Sequence, residues 1–265
     1  MTETLKLALL VCDTPILPVR EKYGTYTEIF HQWLSNSLQA IPSHHDFTLD
    51  PFDVVQGQYP SDDNIHSYDG FIITGSAANA FETFPWIEAL VTFVANLLSN
   101  APSIRLIGIC FGHQIISRAA GEQVVRNDLG WEAGTTEIRL TDEGKRVFGL
   151  DTGVMDIIEM HRDHVPAVPA NFTLLGSTDV SLNQGMVKRY TTSSEKWSNG
   201  AIHVLTVQGH PEFNPEIVNL VVDAREKSGA MDPQTVRRAR ERANKRDDGV
   251  GPIGKAVLAA LGISN

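Results

Sequence analysis

The chain has 265 residues, of which 42% are apolar and 20% are charged, so it can bury a sizeable core and disorder is disfavoured. Its 22 basic and 32 acidic residues give a formal net charge of −10, which disfavours nucleic acid as a partner because such binding neutralises phosphates with cations. Two cysteines, Cys12 and Cys110, are too few for a disulfide framework and fit a reducing compartment.

The first half of the chain alternates strands and helices. Short apolar runs between turn residues predict strands, and apolar residues at three- and four-residue spacing predict helices. In chain order these are the strand 5–12, the helix 25–40, the strands 47–55 and 69–75, the helix 85–99, the strand 104–109 and the helix 111–120. Such alternation is typical of a mostly parallel sheet with helices on both faces.

The second half has a different pattern. Between residues 123 and 208, turn residues separate short strand-like runs, and three helical stretches follow. The runs lie at 135–140, 155–160, 172–176, 186–190 and 201–207, and the helices at 214–228, 233–245 and 252–262. We expect one α/β domain over 1–265 with a small β-rich insertion and a C-terminal helical extension from about 229 to 265.

The sequence gives no sign of a membrane span or a leader. No apolar stretch approaches the roughly 20 residues that cross a bilayer. The start of the chain runs directly into an apolar strand and lacks the basic segment and cleavage site of a signal peptide. We therefore expect a cytoplasmic protein without a membrane partner.

Residues 107–114, Ile-Gly-Ile-Cys-Phe-Gly-His-Gln, place a cysteine where an apolar strand meets a helix. Gly108 and Gly112 flank Cys110, as a sharp strand-to-helix turn with a crowded backbone requires. Such a turn exposes its central side chain at the carboxyl end of the sheet, where open α/β sheets bind ligands. The helix N-terminus favours the thiolate, and the N–H of Phe111 is a candidate oxyanion donor. Taken alone, the pattern also fits an inert core cysteine.

A candidate base follows a later strand. The strand predicted at 201–207 is followed closely by the triplet His210-Pro-Glu212. His210 can take the proton of Cys110 and later protonate a leaving amine, while Glu212 can bind the other ring nitrogen and fix the tautomer. A lone histidine near a strand end is usually structural, but the triplet together with Cys110 favours a Cys-His-Glu catalytic triad.

With these two segments the chain resembles the class I glutamine amidotransferase family. Gly-Ile-Cys-Phe-Gly-His-Gln and Gly-His-Pro-Glu are the two most specific signatures of that family, and their order fits it as well. The resemblance extends from about residue 5 to 225. It implies a flavodoxin-like three-layer sandwich, no cofactor, and cleavage of the γ-glutamyl amide bond of glutamine or γ-glutamyl peptides through a γ-glutamyl thioester on Cys110.

Residues 72–82 resemble the oxyanion loop of the family. The resemblance implies that backbone N–H groups near Gly75 and Ser76 face the substrate carbonyl. Glutaminase domains, such as those of the GMP synthase type, usually carry Gly-Gly-Pro here. The Thr-Gly-Ser form of this chain is more similar to free-standing members, notably the γ-glutamyl peptidases of plants and their fungal relatives.

The resemblance also implies contacts with the glutamyl group. Gln114 corresponds to the family glutamine that touches the glutamyl moiety. Residues 160–165 resemble the second substrate loop, which holds the α-amino and α-carboxylate groups, and His161 and Asp163 are the expected contacts within it. His161 and His164 also have a metal-like spacing, but no acidic or thiol cluster completes a site, so we expect no metal.

Other functions stay open on the sequence alone. The chain could be a glutaminase subunit that supplies ammonia to a synthetase partner in trans, although 265 residues hold no fused synthetase domain. It could be a catalytically vestigial binding or regulatory protein, against which the intact triad argues. A cysteine enzyme of the DJ-1/PfpI type would share the sheet and the turn, but not the late Gly-His-Pro-Glu segment. The motifs do not identify the leaving group.

Overall fold

The computed structural model of the protein describes residues 3–192 and 200–263. Within these residues the strands are β1 (Glu3–Val11), β2 (His45–Asp53), β3 (Gly70–Ile73), β4 (Arg105–Ile109), β5 (Val125–Arg126), β6 (Glu132–Leu140), β7 (Val154–His161), β8 (Asp163–His164), β9 (Thr173–Leu174), β10 (Gly176–Ser177), β11 (Gly185–Arg189) and β12 (Ile202–Val207). The α-helices are α1 (Leu17–Tyr23), α2 (Tyr26–Gln39), α3 (Asp62–Ile65), α4 (Pro85–Asn100), α5 (Phe111–Ala119), α6 (Asp142–Phe148), α7 (Pro215–Lys227), α8 (Pro233–Arg242) and α9 (Gly254–Leu261).

The central sheet has the strand order β2-β1-β3-β4-β12-β11-β9 over the described residues. The first five strands run parallel, and β11 and β9 add an antiparallel edge. The parallel part follows the 2-1-3-4-5 order of flavodoxin-like sheets. The predicted fold class, a three-layer α/β sandwich with a mostly parallel sheet, is therefore confirmed.

Two apolar layers cover this sheet, one on each face. Leu7 and Leu9 of β1 face the core that contains α2, α7 and α9, whereas the alternate residues Ala8 and Leu10 face the core that contains α4 and α5. Side chains alternate between the faces of a strand, so a run of consecutive apolar residues is what a strand buried on both faces requires. The alternating strands and helices of the sequence thus predict the layers correctly.

The strands of the β-rich region are divided among three sheets. β6, β7 and β10 form a separate antiparallel sheet, and β5 pairs with β8, whereas β9 and β11 join the central sheet. The single strand predicted at 172–176 is wrong, because the chain changes sheets at Leu175. The N–H of Leu175 donates to Gly185, and its carbonyl accepts from Thr141, which turns the chain between β9 and β10.

Short helices were not expected from the sequence. α1 and α6 each span seven residues, too few to show two turns of apolar periodicity. α6 begins at Thr141, whose hydroxyl accepts from the N–H of Gly144 and caps the helix. α1 has a proline in its first turn, where proline is tolerated.

The last helix begins later than expected. A π-helical turn at Gly249–Ile253 precedes α9, in place of the first residues of the helix predicted at 252–262. The turn packs against α2, where the indole N–H of Trp33 donates to the carbonyl of Gly249 at 3.0 Å. Over the described residues, no helix combines the length and apolar composition that crossing a bilayer requires.

Candidate active site

Three strand ends meet at the carboxyl edge of the central sheet. β4 lies between β3 and β12, with Ile73 of β3 in register with Gly108, and Val207 of β12 in register with Ile109. The residues that follow these strands therefore come together, because parallel strands end at the same edge. This brings the oxyanion loop, the cysteine turn and the histidine triplet side by side.

Cys110 occupies a strained turn between β4 and α5. Its φ of 50° and ψ of −102° lie outside the regions that side chains favour. The backbone is fixed on both sides, because the N–H of Cys110 donates to Val207 and its carbonyl accepts from Gln114. Strain held in this way is typical of a nucleophile on a strand-to-helix turn. The side chain is only 4% exposed, yet it lines a cavity.

The two flanking glycines are needed because the turn has no room for a Cβ atom. A Cβ added to Gly108 would lie 2.8 Å from the carbonyl of Gly112, and one added to Gly112 would lie 2.3 Å from the carbonyl oxygen of Ile73. Both contacts are with backbone atoms, which cannot rotate away. The spacing of the glycines in the sequence thus has a steric cause.

Replacing Gly112 with alanine is expected to destabilise the protein by about 1–3 kcal/mol or more, since the added methyl must displace β3 or the cysteine turn. Urea unfolding measures the loss, and the rate of Cys110 alkylation reports any shift of the turn. Gly251→Ala is the matched control, since a Cβ there meets no described atom within 4 Å. Equal stability of the two variants would contradict the steric explanation.

The imidazole of His210 is held on three sides. Its Nδ1 lies 2.8 Å from Oε1 of Glu212, and its ring stacks on Phe213 with 4.2 Å between the ring centroids. The backbone N–H of His210 donates to the carbonyl of Ile158 at 2.7 Å. Glu212 is itself buried, so its carboxylate can fix the ring with Nδ1 as the donor and leave Nε2 free.

Cys110 and His210 meet next to Gly75. A Cβ added to Gly75 would lie 2.7 Å from Cε1 of His210 and 3.7 Å from Cβ of Cys110. Burial by itself lowers the pKa of His210, but the sulfur of Cys110 and the carboxylate of Glu212 outweigh burial and hold the pKa well above its ordinary value. A charged imidazole beside a cysteine favours a thiolate–imidazolium pair, the reactive form of a nucleophilic cysteine.

The loop after β3, where the resemblance places the oxyanion donors, is anchored by the residues that directly follow β1. The carboxylate of Asp13 accepts from the N–H of Ala77 at 2.6 Å, and the hydroxyl of Thr74 accepts from the N–H of Cys12 at 2.9 Å. Asp13 was not singled out from the sequence, although a carboxylate just beyond a strand at this sheet edge is the available signal. The donors expected at Gly75, Ser76 and Phe111 stay a prediction.

A chain of hydrogen bonds links the second substrate loop to the sulfur. Nε2 of Gln114 donates to the carbonyl of Asp163 at 2.9 Å and to Oε1 of Gln208 at 3.1 Å. Nε2 of Gln208 in turn lies 3.6 Å from the sulfur of Cys110. Gln114 and Asp163 are thus brought together beside Cys110. Gln208 was missed, although it directly follows the strand β12.

His161 lies between two buried carboxylates. Its Nε2 is 3.3 Å from Oε2 of Glu132 and 3.3 Å from Oε2 of Glu159, and its Nδ1 is 3.0 Å from the carbonyl oxygen of Asp163. Burial by itself lowers the pKa of His161, but the two carboxylates outweigh it and raise the pKa to about 10. Both ring nitrogens therefore face protein groups. Glu159, a charged residue within the apolar run of β7, is the sequence feature that could have indicated a buried partner for His161.

We expect His161→Gln to destabilise the protein by about 3–5 kcal/mol, since it leaves two buried carboxylates without their cation. The folded pKa of His161 lies above its ordinary value of about 6.5, so its stabilisation is complete below that pH and is lost as the pH rises through about 10. In urea unfolding at pH 7, 8 and 9, the free energy of unfolding of the wild type should decline as the pH rises, and that of His161→Gln should decline less steeply. His164→Gln, at the residue next to Asp163, serves as the control, and an equal decline in the wild type and in His161→Gln would contradict the charged state of His161.

Two cavities meet at the cysteine and the histidine. The Cys110 cavity, of about 320 Å³, is lined by Cys110 and by polar groups of Gln114, Arg126, His161, Arg162 and Asp163. The His210 cavity, of about 350 Å³, is lined by His210 and by Ile16, Val19, Phe213, Ile217 and Val221. Ser76, Ala77, Met160 and Arg225 border both cavities. In the part of the chain that the structure describes, no cluster of three or more His, Cys, Asp or Glu side chains could hold a metal ion.

Comparisons with known proteins identify relatives. The sequence model of the family described as glutamine amidotransferase class-I matches residues 44–219. A glutamine amidotransferase-like protein of Schizosaccharomyces pombe is 34% identical over 218 residues, which is 82% of each chain. Gamma-glutamyl peptidase 3 of Arabidopsis thaliana is 32% identical over 222 residues, 82% of this chain and 80% of its own.

A solved structure is similar over nearly the whole length. The crystal structure of a glutamine amidotransferase from Thermotoga maritima has a TM-score of 0.69 at 15% identity, covering 97% of this chain and 98% of that one. At this identity the likeness concerns the fold alone.

Proposed function

Because the chain belongs to the class I glutamine amidotransferase family, we propose that it hydrolyses γ-glutamyl amide bonds through a thioester on Cys110. The observation that carries the proposal is the meeting of a cysteine at positive φ with the buried pair of His210 and Glu212. The similarity to a protein named gamma-glutamyl peptidase 3 supports a free-standing hydrolase.

In the first half of the reaction, the thiolate of Cys110 attacks the γ-carbonyl carbon of the substrate. Backbone N–H groups of Gly75, Ser76 and Phe111 are the proposed donors to the oxyanion that forms. His210, as the imidazolium, gives its proton to the leaving nitrogen, the C–N bond breaks and the amine departs. The γ-glutamyl thioester remains on the sulfur, and the neutral ring of His210 is left as a base.

Water completes the cycle. His210 removes a proton from a water molecule as it attacks the thioester carbonyl, and Glu212 keeps the ring oriented and stabilises its positive charge. The C–S bond then breaks, which releases glutamate and restores the thiolate beside the imidazolium. One amide and one water are consumed, and one carboxylic acid and one amine are formed.

The glutamyl group is proposed to occupy the Cys110 cavity. Gln114 and Asp163 lie there beside the sulfur, and the amide oxygen of Gln114 and the carboxylate of Asp163 are the proposed acceptors for the α-amino group of the substrate. Arg126, whose Nε lies 3.5 Å from the carboxylate of Asp163, brings a cation to the same cavity. His161 would then act by fixing the loop of Asp163, with which its Nδ1 is in contact.

Side-by-side measurement of glutamate release from glutamine, glutathione and a γ-glutamyl anilide tests the proposal. Turnover of the peptide and the anilide by the isolated chain supports a hydrolase. Turnover of glutamine only in the presence of a synthetase would instead assign the chain as a glutaminase subunit. Absence of turnover, together with no labelling of Cys110 by a diazo-ketone analogue of glutamine, would assign a vestigial site.

A further inference from the structure

The two halves of the catalytic pair face different cavities. Cys110 lines the polar Cys110 cavity, whereas His210 lines the His210 cavity, and the bordering residues Ser76 and Met160 join the two. In an amide cleavage the carbonyl carbon must lie at the nucleophile and the leaving nitrogen at the acid that protonates it. The scissile bond therefore spans the border, with its amine part on the side of His210.

The His210 cavity is far larger than ammonia requires. Its volume is about 350 Å³, whereas a molecule the size of water occupies about 30 Å³ in a liquid. A cavity of this size is in the range of small-ligand sites. A substrate that released only ammonia would leave most of it without a ligand.

The walls of the His210 cavity are mainly apolar. Ile16 and Val19 line it from one side, and Phe213, Ile217 and Val221 from the other. The carboxylate of Asp13 also lines it but already accepts from backbone N–H groups of the oxyanion loop and of Thr14. Moving an apolar group from water to such walls lowers the free energy, whereas a charged group would lose its hydration.

A positively charged side chain, that of Arg225, lies where the two cavities meet. Arg225 of α7 lines both cavities, and its guanidinium lies 6.0 Å from the centre of the ring of Trp131. Guanidinium groups pair well with carboxylates. A carboxylate attached close to the leaving nitrogen, as in an amino acid, can reach it.

From these features we infer that the His210 cavity binds the amine part of the substrate, and that this part is an amino acid with a large apolar side chain. The inference rests on the proposed function and narrows its substrate class to γ-glutamyl peptides such as γ-glutamylphenylalanine. Glutamine would be a poor substrate, because its ammonia gains nothing from the apolar walls.

Comparison of kcat/KM for glutamine, γ-glutamylglycine and γ-glutamylphenylalanine tests the inference. We expect the phenylalanine peptide to exceed γ-glutamylglycine by at least about tenfold, the discrimination that an apolar pocket provides. Equal values for the three substrates would overturn the inference but leave the proposed hydrolase in place. Absence of turnover for all three would overturn the proposed function itself.

Narrowing the cavity provides the second test. Val221→Trp is expected to lower the ratio of kcat/KM for γ-glutamylphenylalanine to that for glutamine at least about tenfold. Val55→Trp, which changes an exposed residue outside both cavities, should leave the ratio unchanged. If Val221→Trp fails to fold in a thermal scan, Ala224→Leu probes the same wall from half-buried Ala224. An unchanged ratio in a folded wall variant would overturn the inference.

Discussion

Replacing Cys110 with alanine is expected to abolish glutamate release from every γ-glutamyl substrate, a loss of at least about 10⁴-fold in kcat. The variant keeps the cavities and the polar groups around them, but no other group at the meeting of β4 and α5 can form the thioester. The measurement is kcat from a coupled glutamate assay, with mass spectrometry to detect a γ-glutamyl adduct on the wild-type protein.

Cys12 provides a matched control for this variant. It is also buried and free, but it directly follows β1, its side chain packs in the core that contains α4 and α5, and burial raises the pKa of its thiol. Cys12→Ala should retain activity, and iodoacetamide should label Cys110 and spare Cys12. Activity of Cys110→Ala within tenfold of the wild type would contradict the proposed nucleophile.

The variant Cys110→Gly tests whether the side chain of Cys110 contributes to stability in addition to its proposed role in activity. Glycine adopts positive φ without the penalty that a Cβ imposes, so Cys110→Gly should be inactive yet no less stable than Cys110→Ala. Urea unfolding of the two variants measures the difference. A large loss of stability in the glycine variant would mean that the side chain of Cys110 has a structural role as well.

The sequence predicts the parts of the site that are local. Cys110, its flanking glycines and the first residues of the helix that follows lie within residues 107–114, and the triplet that starts at His210 is equally compact. The mostly parallel sheet with helices on both faces follows from the alternation of strands and helices, because parallel strands require crossovers. These features were predicted because each depends on residues that are neighbours in the chain.

The parts that were missed depend on contacts between distant segments. Gln208 and Asp13 become visible only when β12 and β1 end at the same sheet edge as β4. Glu132 and Glu159 meet His161 because β6 pairs with β7 in one register, with Glu132 opposite His161. A sequence pattern carries no register, so it could not show that His161 is held between carboxylates.

The boundaries of the β-rich region illustrate the same limit. A run of five residues at 172–176 looks like one strand, yet two of its residues pair with β11 and its last residue pairs with β6. Which sheet a short strand joins is decided by its partners and not by its own composition. The insertion could therefore be predicted as β-rich, but not divided correctly.

His210→Asn is expected to lower kcat by about 10³–10⁴-fold, second only to loss of the sulfur. Asparagine keeps a polar group at this position but can neither hold a proton for the leaving amine nor activate water. The raised pKa of His210 places its positive charge next to Cys110 at neutral pH, so its loss should also slow alkylation of the sulfur by iodoacetamide.

A control and a double variant distinguish a catalytic from a structural role for His210. His31→Asn changes an exposed histidine of α2 and should leave both rates unchanged. Because the proposed base acts only through the proposed nucleophile, the variant that combines His210→Asn with Cys110→Ala should be no slower than Cys110→Ala alone. If His210→Asn retained activity within tenfold, or if the two losses multiplied, the base would have to be sought elsewhere along the edge where β3, β4 and β12 end.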